Sequence, residues 1–286
     1  MRVRKALMGC ASIALAVTTL TACGGDDGDG SSNGNEGGGI LNQERITIGV
    51  RFDQPGLGLD TGGDAPEGFD IEIARIIIEG LGIPEENVTW RETVSANREP
   101  FLQNGTVDIV VATYTINEER ASVIDFAGPY YVAGQDLLVP VDSDIQGPDD
   151  LTSEHIVCSV NGSTPAERIQ TDYPDVQLQL FDTYSQCVEQ LAAGAVHAVT
   201  TDDIILAGYA SQEQYAGQFR VVGQPFSEEP YGIGIAEEDT EGCRRINEIL
   251  AEAIESGAYE EAWNATLGAS GTPAPSIEPP DGSWCD

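Results

Sequence analysis

The chain reads as an α/β protein of two lobes, each a mostly parallel sheet flanked by helices, with a two-crossing hinge between them. Short apolar runs alternate with segments of helical period, first along residues 45–134 and again along residues 135–229. Such alternation builds helices onto parallel sheets. The second block starts afresh at "DLLVPV". Two more helical segments follow "PYGIGIAEED", which turns back, so residues 230–268 complete the first lobe. The crossings fall near residues 134–139 and 225–232. With 286 residues, 41% of them hydrophobic, the chain can bury a core in each lobe.

The elements follow in order. In "RITIGVRF", Ile46, Ile48 and Val50 alternate with other residues, the period of a strand. "GFDIEIARIIIEGLGI" reads as a helix, with Phe69, Ile73, Ile76 and Ile77 near helical spacing and Gly80 and Gly82 stopping it. "NVTW" is a short strand, "SANREPFLQNG" a helical turn or short helix, and "VDIVVA" a third strand. In the second block "HIVCSV", "VQLQLF" and "AVHAVTT" are strands, with helices "PAERIQTDY" and "SQCVEQLAAG" between them. "DDIILAGYASQ" is a further helix and "FRVVGQ" a strand. The helices "EGCRRINEILAEAIESG" and "AYEEAWNATLG" close the fold, and residues 269–286 form a proline-rich tail.

Thirteen Lys and Arg face 48 Asp and Glu, a formal charge of −35. That excludes nucleic acid and anionic lipid surfaces as partners and reads as a solvation feature. At the amino end, Arg2, Arg4 and Lys5 precede the apolar run "ALMGCASIALAVTTL". The run is short of the roughly 20 residues a membrane span needs, so residues 1–22 read as a signal peptide. "LTAC" resembles a bacterial lipobox, which would place a lipid, palmitate included, on Cys23. An uncleaved anchor and ordinary secretion are the competing readings. The Gly/Ser/Asp-rich run that follows makes residues 23–44 a flexible tether. Export leaves Cys158, Cys187, Cys243 and Cys285 in an oxidising compartment, where four cysteines form two disulfides by one of three connectivities. Cys158–Cys187 and Cys243–Cys285 pair neighbours within each half and are preferred. Zinc competes, but the spacings are wide and only His155 and His197 could join, so no metal is expected.

In open α/β sheets ligands bind beyond the carboxyl ends of strands. "ITIGV" ends at Arg51; "VDIVVA" ends at Thr113 and Thr115, with Arg120 close behind. "IVCSV" runs into "NGSTPAE", and "AVHAVTT" ends at Asp202 and Asp203. In "NGSTPAE", Thr164, Pro165 and Glu167 match a capping box with proline at the first helical position, after the tight turn Asn161–Gly162. A helix start so placed, with Ser163 and Thr164, suits a carboxylate. Taken singly, each residue also has a plain structural explanation. Thr164 caps a helix. Arg120 pairs with Glu118 or Glu119, a contact worth about 0–1 kcal/mol. Asp202 is an N-cap, Arg51 a solvated strand end, and Arg98 a partner of Glu92 or Glu99. Taken together they fit a free amino acid. Arg120 and Thr115 grip its carboxylate, and Asp202, with Thr113 or its carbonyl, takes its ammonium. Arg51 and Arg98 then face the side chain, which two arginines predict to be acidic.

"GFDIEIARIIIEGLG", "NREPFLQNGTVDIVVATYTINEERASVIDFAGPYY", "NGSTPAE" and "VTTDDIILAGY" resemble the extracellular solute-binding proteins (family 3) of polar amino-acid ABC transporters. "VRFDQPGLG" and "TYSQCVEQL" look most like the glutamate-binding lipoproteins of Gram-positive bacteria. The resemblance spans residues 45–268 and leaves out the tether and tail. It implies a two-lobed periplasmic-binding-protein-like fold of type II. It also implies that Arg120 and Thr115 hold an α-carboxylate, that Asp202 holds the ammonium, and that Ser163 and Thr164 contribute from the second lobe. Arginine at positions 51 and 98 points within that family to glutamate, with aspartate second. Some acidic-amino-acid binders place a histidine where this chain has Thr183 or Tyr184, a departure at the side-chain end. Implied further are a membrane permease as partner, a lipid-anchored monomer on the extracellular face, and no cofactor. Three alternatives stand beside it: a binder of glutamine or another polar amino acid, a sensory ligand-binding module, and a dehydratase-like enzyme on the same fold. Against the enzyme, no nucleophile–base motif stands out, and both histidines are expected within strands.

Overall fold

Two five-stranded sheets organise the chain. They come from a computed structural model that describes residues 39–270 and 273–285. The leader, Cys23 and the tether as far as residue 38 lie outside those residues; the end of the expected tether is instead folded, with Ile40–Asn42 in a 3-10 turn whose Ile40 is buried and donates its amide to Asp239 (2.7 Å). The first sheet has the order β4-β1-β5-β12-β6 and is built from β1 (Ile46–Val50), β4 (Val88–Glu92), β5 (Ile109–Thr115), β6 (Ile124–Ala133) and β12 (Glu229–Ala236). A hairpin of β2 (Asp53–Gln54) and β3 (Gly58–Leu59) follows β1. The second sheet has the order β11-β7-β10-β8-β9, from β7 (Gln135–Pro140), β8 (Ile156–Val160), β9 (Gln177–Phe181), β10 (Ala198–Asp202) and β11 (Phe219–Val221). β1 pairs in parallel with β4 and β5, and β8 with β9 and β10. The strands running against the rest are β12 and β7, the first strand after each crossing. The type II architecture is therefore present.

Helices α1 (Phe69–Leu81), α2 (Arg98–Gln103), α3 (Glu118–Ala121), α7 (Thr240–Ser256) and α8 (Ala258–Ala265) accompany the first sheet. Helices α4 (Thr164–Asp172), α5 (Tyr184–Ala192) and α6 (Asp203–Ala210) accompany the second. α1 buries Phe69, Ile73 and Ile77, four residues apart, with Ile71, Ala74 and Ile78 beside them. Gly80 does not stop this helix. It lies within it, and a Cβ there would sit 2.6 Å from Ile249 of α7, so glycine lets the two helices touch. Gly82, left-handed at φ 74°, ends it.

No strand is expected over Ile124–Ala133, yet β6 is the longest in the fold. Gly128 and Pro129 break its sequence pattern, and the fold tolerates the proline because β6 is an edge strand. The tail runs back to it. Trp284 accepts a hydrogen bond from the Phe126 amide (3.0 Å), and Ala274 and Ile277 pack on the core. Disulfide Cys243–Cys285 ties the tail to α7, and Cys158–Cys187 ties α5 to β8. His155 and His197 precede β8 and β10 rather than lying within them, with ring centroids 5.5 Å apart. They stand at the amino ends of the strands, opposite the ends that carry ligand chemistry.

The crossings abut. Gly134 alone separates β6 from β7, and a Cβ on it would meet Pro225 at 2.6 Å. The Phe226 amide donates to the Gln135 carbonyl (2.9 Å). The carboxyl ends of β1 and β5 thereby face those of β8 and β10.

Candidate functional site

At the end of β5, Thr113 holds φ 45°, a left-handed conformation that a β-branched residue adopts only under constraint. The constraint is Asp70, whose Oδ2 accepts the Thr113 amide (2.9 Å) and whose Oδ1 accepts the Tyr130 hydroxyl (2.9 Å). Burial pushes Asp70 up to about 6. The kink turns the carbonyls of Ala112 and Thr113 toward Arg98, whose Nη1 donates to both (3.2 and 3.3 Å). Arg98 Nε donates to the Ser95 carbonyl (3.3 Å) and Nη2 to the Gly162 carbonyl (3.4 Å). Arg98 is thus turned onto main-chain carbonyls, where the sequence reading aims it at a ligand side chain. Burial first, then Arg120, lowers it to about 10.

Arg120 is held as closely. Asn117 caps α3 by accepting the Arg120 amide (2.8 Å). The Arg120 guanidinium donates to the Thr115 carbonyl (2.7 Å) and to Gly162 (3.1 Å), and pairs with Glu99 (3.2 Å) rather than with Glu118 or Glu119. Arg98 and Arg120 both lie over the Tyr114 ring, 4.3 and 5.1 Å from its centroid. The Gly162 carbonyl, from the second lobe, therefore sits between two guanidinium groups of the first. A Cβ at Gly162 would meet Ala96 at 2.8 Å, which accounts for glycine at that contact.

The helix start at "NGSTPAE" is shifted by one residue from the expected capping box. Ser163 is the N-cap of α4, accepting from the Ala166 amide (3.2 Å) and donating to Val160 (2.9 Å), and Thr164 is the first helical residue. Both are capping types, and the tertiary fit chose between them. Thr164, freed from capping, donates to Glu229 Oε2 (2.7 Å), and its hydroxyl oxygen lies 3.4 Å from Thr115 Oγ1. Recesses of about 410 and 300 Å³ open on either side of this contact. The first adjoins Arg120, Gly162 and Ser163; the second adjoins Thr115, Thr164 and Glu229.

Each lobe also buries an ionisable group at a strand end. Arg51 ends β1 and is 1% exposed; Nε and Nη2 bind Asp53 Oδ1 (2.9 and 2.7 Å). Its Nη1 is buried with no hydrogen-bond partner among the described residues. Asp202 ends β10 and is 3% exposed; Oδ2 accepts the Tyr231 hydroxyl (2.5 Å). Its Oδ1 is likewise buried without a partner among those residues. Asp202 occupies the N-cap position of α6, yet its carboxylate does not cap. Burial, then the charge of Glu229, pushes it up to about 8. Tyr184 lies beside Asp202, Ser163, Thr201 and Arg51. The sequence reading did not single out Asp53, Tyr231 or Glu229. Asp53 follows Arg51 by two residues, and Tyr231 pairs in register with Thr115, but only the folded sheet brings either against its partner.

The eight residues singled out from the sequence thus come from both lobes, and Thr115, Arg120, Ser163 and Thr164 among them line the recesses where the lobes meet. The chain matches the sequence model for bacterial extracellular solute-binding proteins, family 3, over residues 46–268. It belongs to that family. It is 43% identical, over 95% of its length and 94% of the relative's, to the glutamate-binding protein GluB of Corynebacterium efficiens. It is 34% identical to the ABC transporter glutamine-binding protein GlnH of Bacillus subtilis, over 91% of this chain and 96% of that one. Among solved structures it resembles an ancestral arginine-binding protein bound to glutamine, at TM-score 0.71 and 31% identity, covering 79% of this chain and 99% of that chain. No helix among the described residues of this solute-binding protein is long and apolar enough to cross a membrane. Nor do those residues include a group of three His, Cys, Asp or Glu able to hold a metal ion.

Proposed function

We propose that this solute-binding protein captures an acidic amino acid, glutamate first and aspartate second, by closing its lobes on it, and delivers it to the membrane permease of an ABC transporter. One observation carries the reading: Arg51 Nη1 and Asp202 Oδ1 are buried, unpartnered among the described residues, and contributed by different lobes. An amino acid with an acidic side chain supplies the missing partner of each, its ammonium to Asp202 and its side-chain carboxylate to Arg51. The α-carboxylate goes to Arg120 and Thr115, where a carboxylate outcompetes the Gly162 carbonyl, with the helix start at Ser163 and Thr164 closing from the other side. Arg98 and Thr113 shape this floor. The charges favour such a ligand: Arg51, Arg98 and Arg120 converge, while among the cleft carboxylates only Asp53 and Glu99 pair directly with them. Binding both lobes at once favours the closed form. GluB, named for glutamate, supports the choice of ligand.

A second reading, glutamine, has its own observation. Asp53 already balances the charge of Arg51, so the one nitrogen left would also suit a carboxamide oxygen. GlnH supports it. The protein acts as a binder and not as an enzyme, as its family does. It is a monomer held at the extracellular face by a lipid on Cys23, in the reading we favour; Cys23 lies outside the described residues. Calorimetric titration of the purified protein with glutamate, aspartate and glutamine tests the proposal. Glutamate binding tightest is the expected result. Glutamine binding tightest would remove the task assigned to Arg51, and no binding by any of the three would overturn the function. Arg51→Asp should reverse the preference for acids over amides; an unchanged ranking in that variant would contradict the assignment.

A further inference from the structure

Asp53 divides one carboxylate between the two lobes. Its Oδ1 receives both Arg51 Nε and Arg51 Nη2, at 2.9 and 2.7 Å, within the first lobe. Its Oδ2 turns to the second. There it accepts the main-chain amides of Tyr184 (2.9 Å) and Ser185 (3.4 Å), which open α5, and lies 3.2 Å from the Tyr209 hydroxyl of α6. The Asp53 carbonyl accepts from the same hydroxyl. Two residues on, the Pro55 carbonyl lies where a Cβ on Gly208 would be, so α6 reaches this segment only because residue 208 is glycine. The Asp53 side chain is 9% exposed.

We propose that Asp53 sets how strongly the protein prefers an acidic side chain over its amide, because it holds the side-on edge of Arg51 and latches the closed lobes with the same carboxylate. The inference rests on the reading that the ligand's side chain lies against Arg51. The Nε–Nη edge is the fork with which arginine grips a carboxylate in two parallel bonds. Asp53 has taken that fork, so a ligand meets the Nη1 end of a pair whose charges already balance. A carboxylate and a carboxamide oxygen then differ less in binding than they would against a bare guanidinium. The other oxygen serves any ligand alike. It places an anion at the start of α5, where helix amides and dipole favour one, and it can do so only when the lobes have met. Disulfide Cys158–Cys187 fixes α5 to β8, so the latch acts on the whole second sheet.

The two tasks separate by substitution. Asp53→Asn and Asp53→Ser leave Arg51 with uncompensated charge and remove the anion from α5. Tyr209→Phe weakens the latch and leaves the Arg51 pair untouched. Titration of the full-length protein and each variant with glutamate and glutamine, with circular dichroism to check folding, reads both. In the Asp53 variants glutamine should weaken about tenfold, as expected for losing a charge-assisted contact, and glutamate by about threefold or less. The ratio of the two dissociation constants then rises about threefold or more. In Tyr209→Phe both ligands should weaken together with the ratio unchanged. Equal weakening of both ligands in the Asp53 variants, or no weakening, would overturn the selectivity role while leaving the proposed function standing. A wild-type protein that bound neither ligand would overturn both.

Discussion

Acidifying the solution from about pH 7.5 to about pH 6.5 should weaken ligand binding about eightfold, and Asp202 is the reason. Its carboxyl, buried at the end of β10 and close to Glu229 and Asp203, is pushed up to about 8 in the ligand-free protein. Tyr231 and Arg98 oppose that rise. At neutral pH most molecules therefore hold a proton on Asp202, and an ammonium group is bound by the ionised form. Binding must expel the proton, so affinity falls as pH falls through the window below about 8. With that value, the fraction ionised drops from about one in four to about one in thirty over the stated unit, which gives the eightfold change. Calorimetry in buffers of different ionisation enthalpy should also detect about one proton released per ligand near pH 6.5. Asp202→Asn is the control. It should bind weakly at every pH and lose this dependence, leaving only the contribution of groups such as Asp70, which burial holds at about 6. The linkage to stability has the matching sign. A carboxyl raised in the folded state favours folding at low pH and loses that contribution as pH rises toward 8, and ligand should restore it. Equal affinity at both pH values, with no proton released, would refute the assignment of the ammonium to Asp202.

Arg120→Ala should abolish measurable binding, since each charge-assisted bond it offers is worth about 1.5–3 kcal/mol; near-normal affinity by calorimetry would reject the site. Replacing both Cys243 and Cys285 by serine opens a span of 42 residues and should remove about 4 kcal/mol of unfolding free energy, read by denaturant titration. The same variant should keep the order of ligand preference, because the bond ties the tail to α7 and touches no cleft residue.

What was legible in the sequence was whatever repeats with the period of its element. Ile46, Ile48 and Val50 announce β1, and Phe69, Ile73 and Ile77 announce α1. The glycine–proline step at 128–129 hid β6, because edge position, which makes it tolerable, is a property of the sheet and not of the segment. The strand-end rule found Arg51, Thr113, Thr115, Ser163, Thr164 and Asp202 without any contact being known. It could not find Asp53 or Glu229, which are two among 48 acidic residues until folding brings a guanidinium or a helix start against them. Arg98 shows the same limit from the other side. Its place near the cleft was readable, but its turn onto Ala112 and Thr113 depends on the left-handed residue at 113, and nothing in "VATYT" marks that conformation.

Gly134 and Pro225 press together the two segments by which the chain passes between the sheets. No ligand-binding group described above lies on either residue. A bulkier side chain at 134 would wedge the crossings and change how readily the halves meet, without touching Arg51 or Asp53. The crossings offer an address for tightness alone, whereas Asp53, on the role proposed for it, joins tightness and choice in one carboxylate. A library varied only at the crossings should yield proteins that differ in grip and agree in taste.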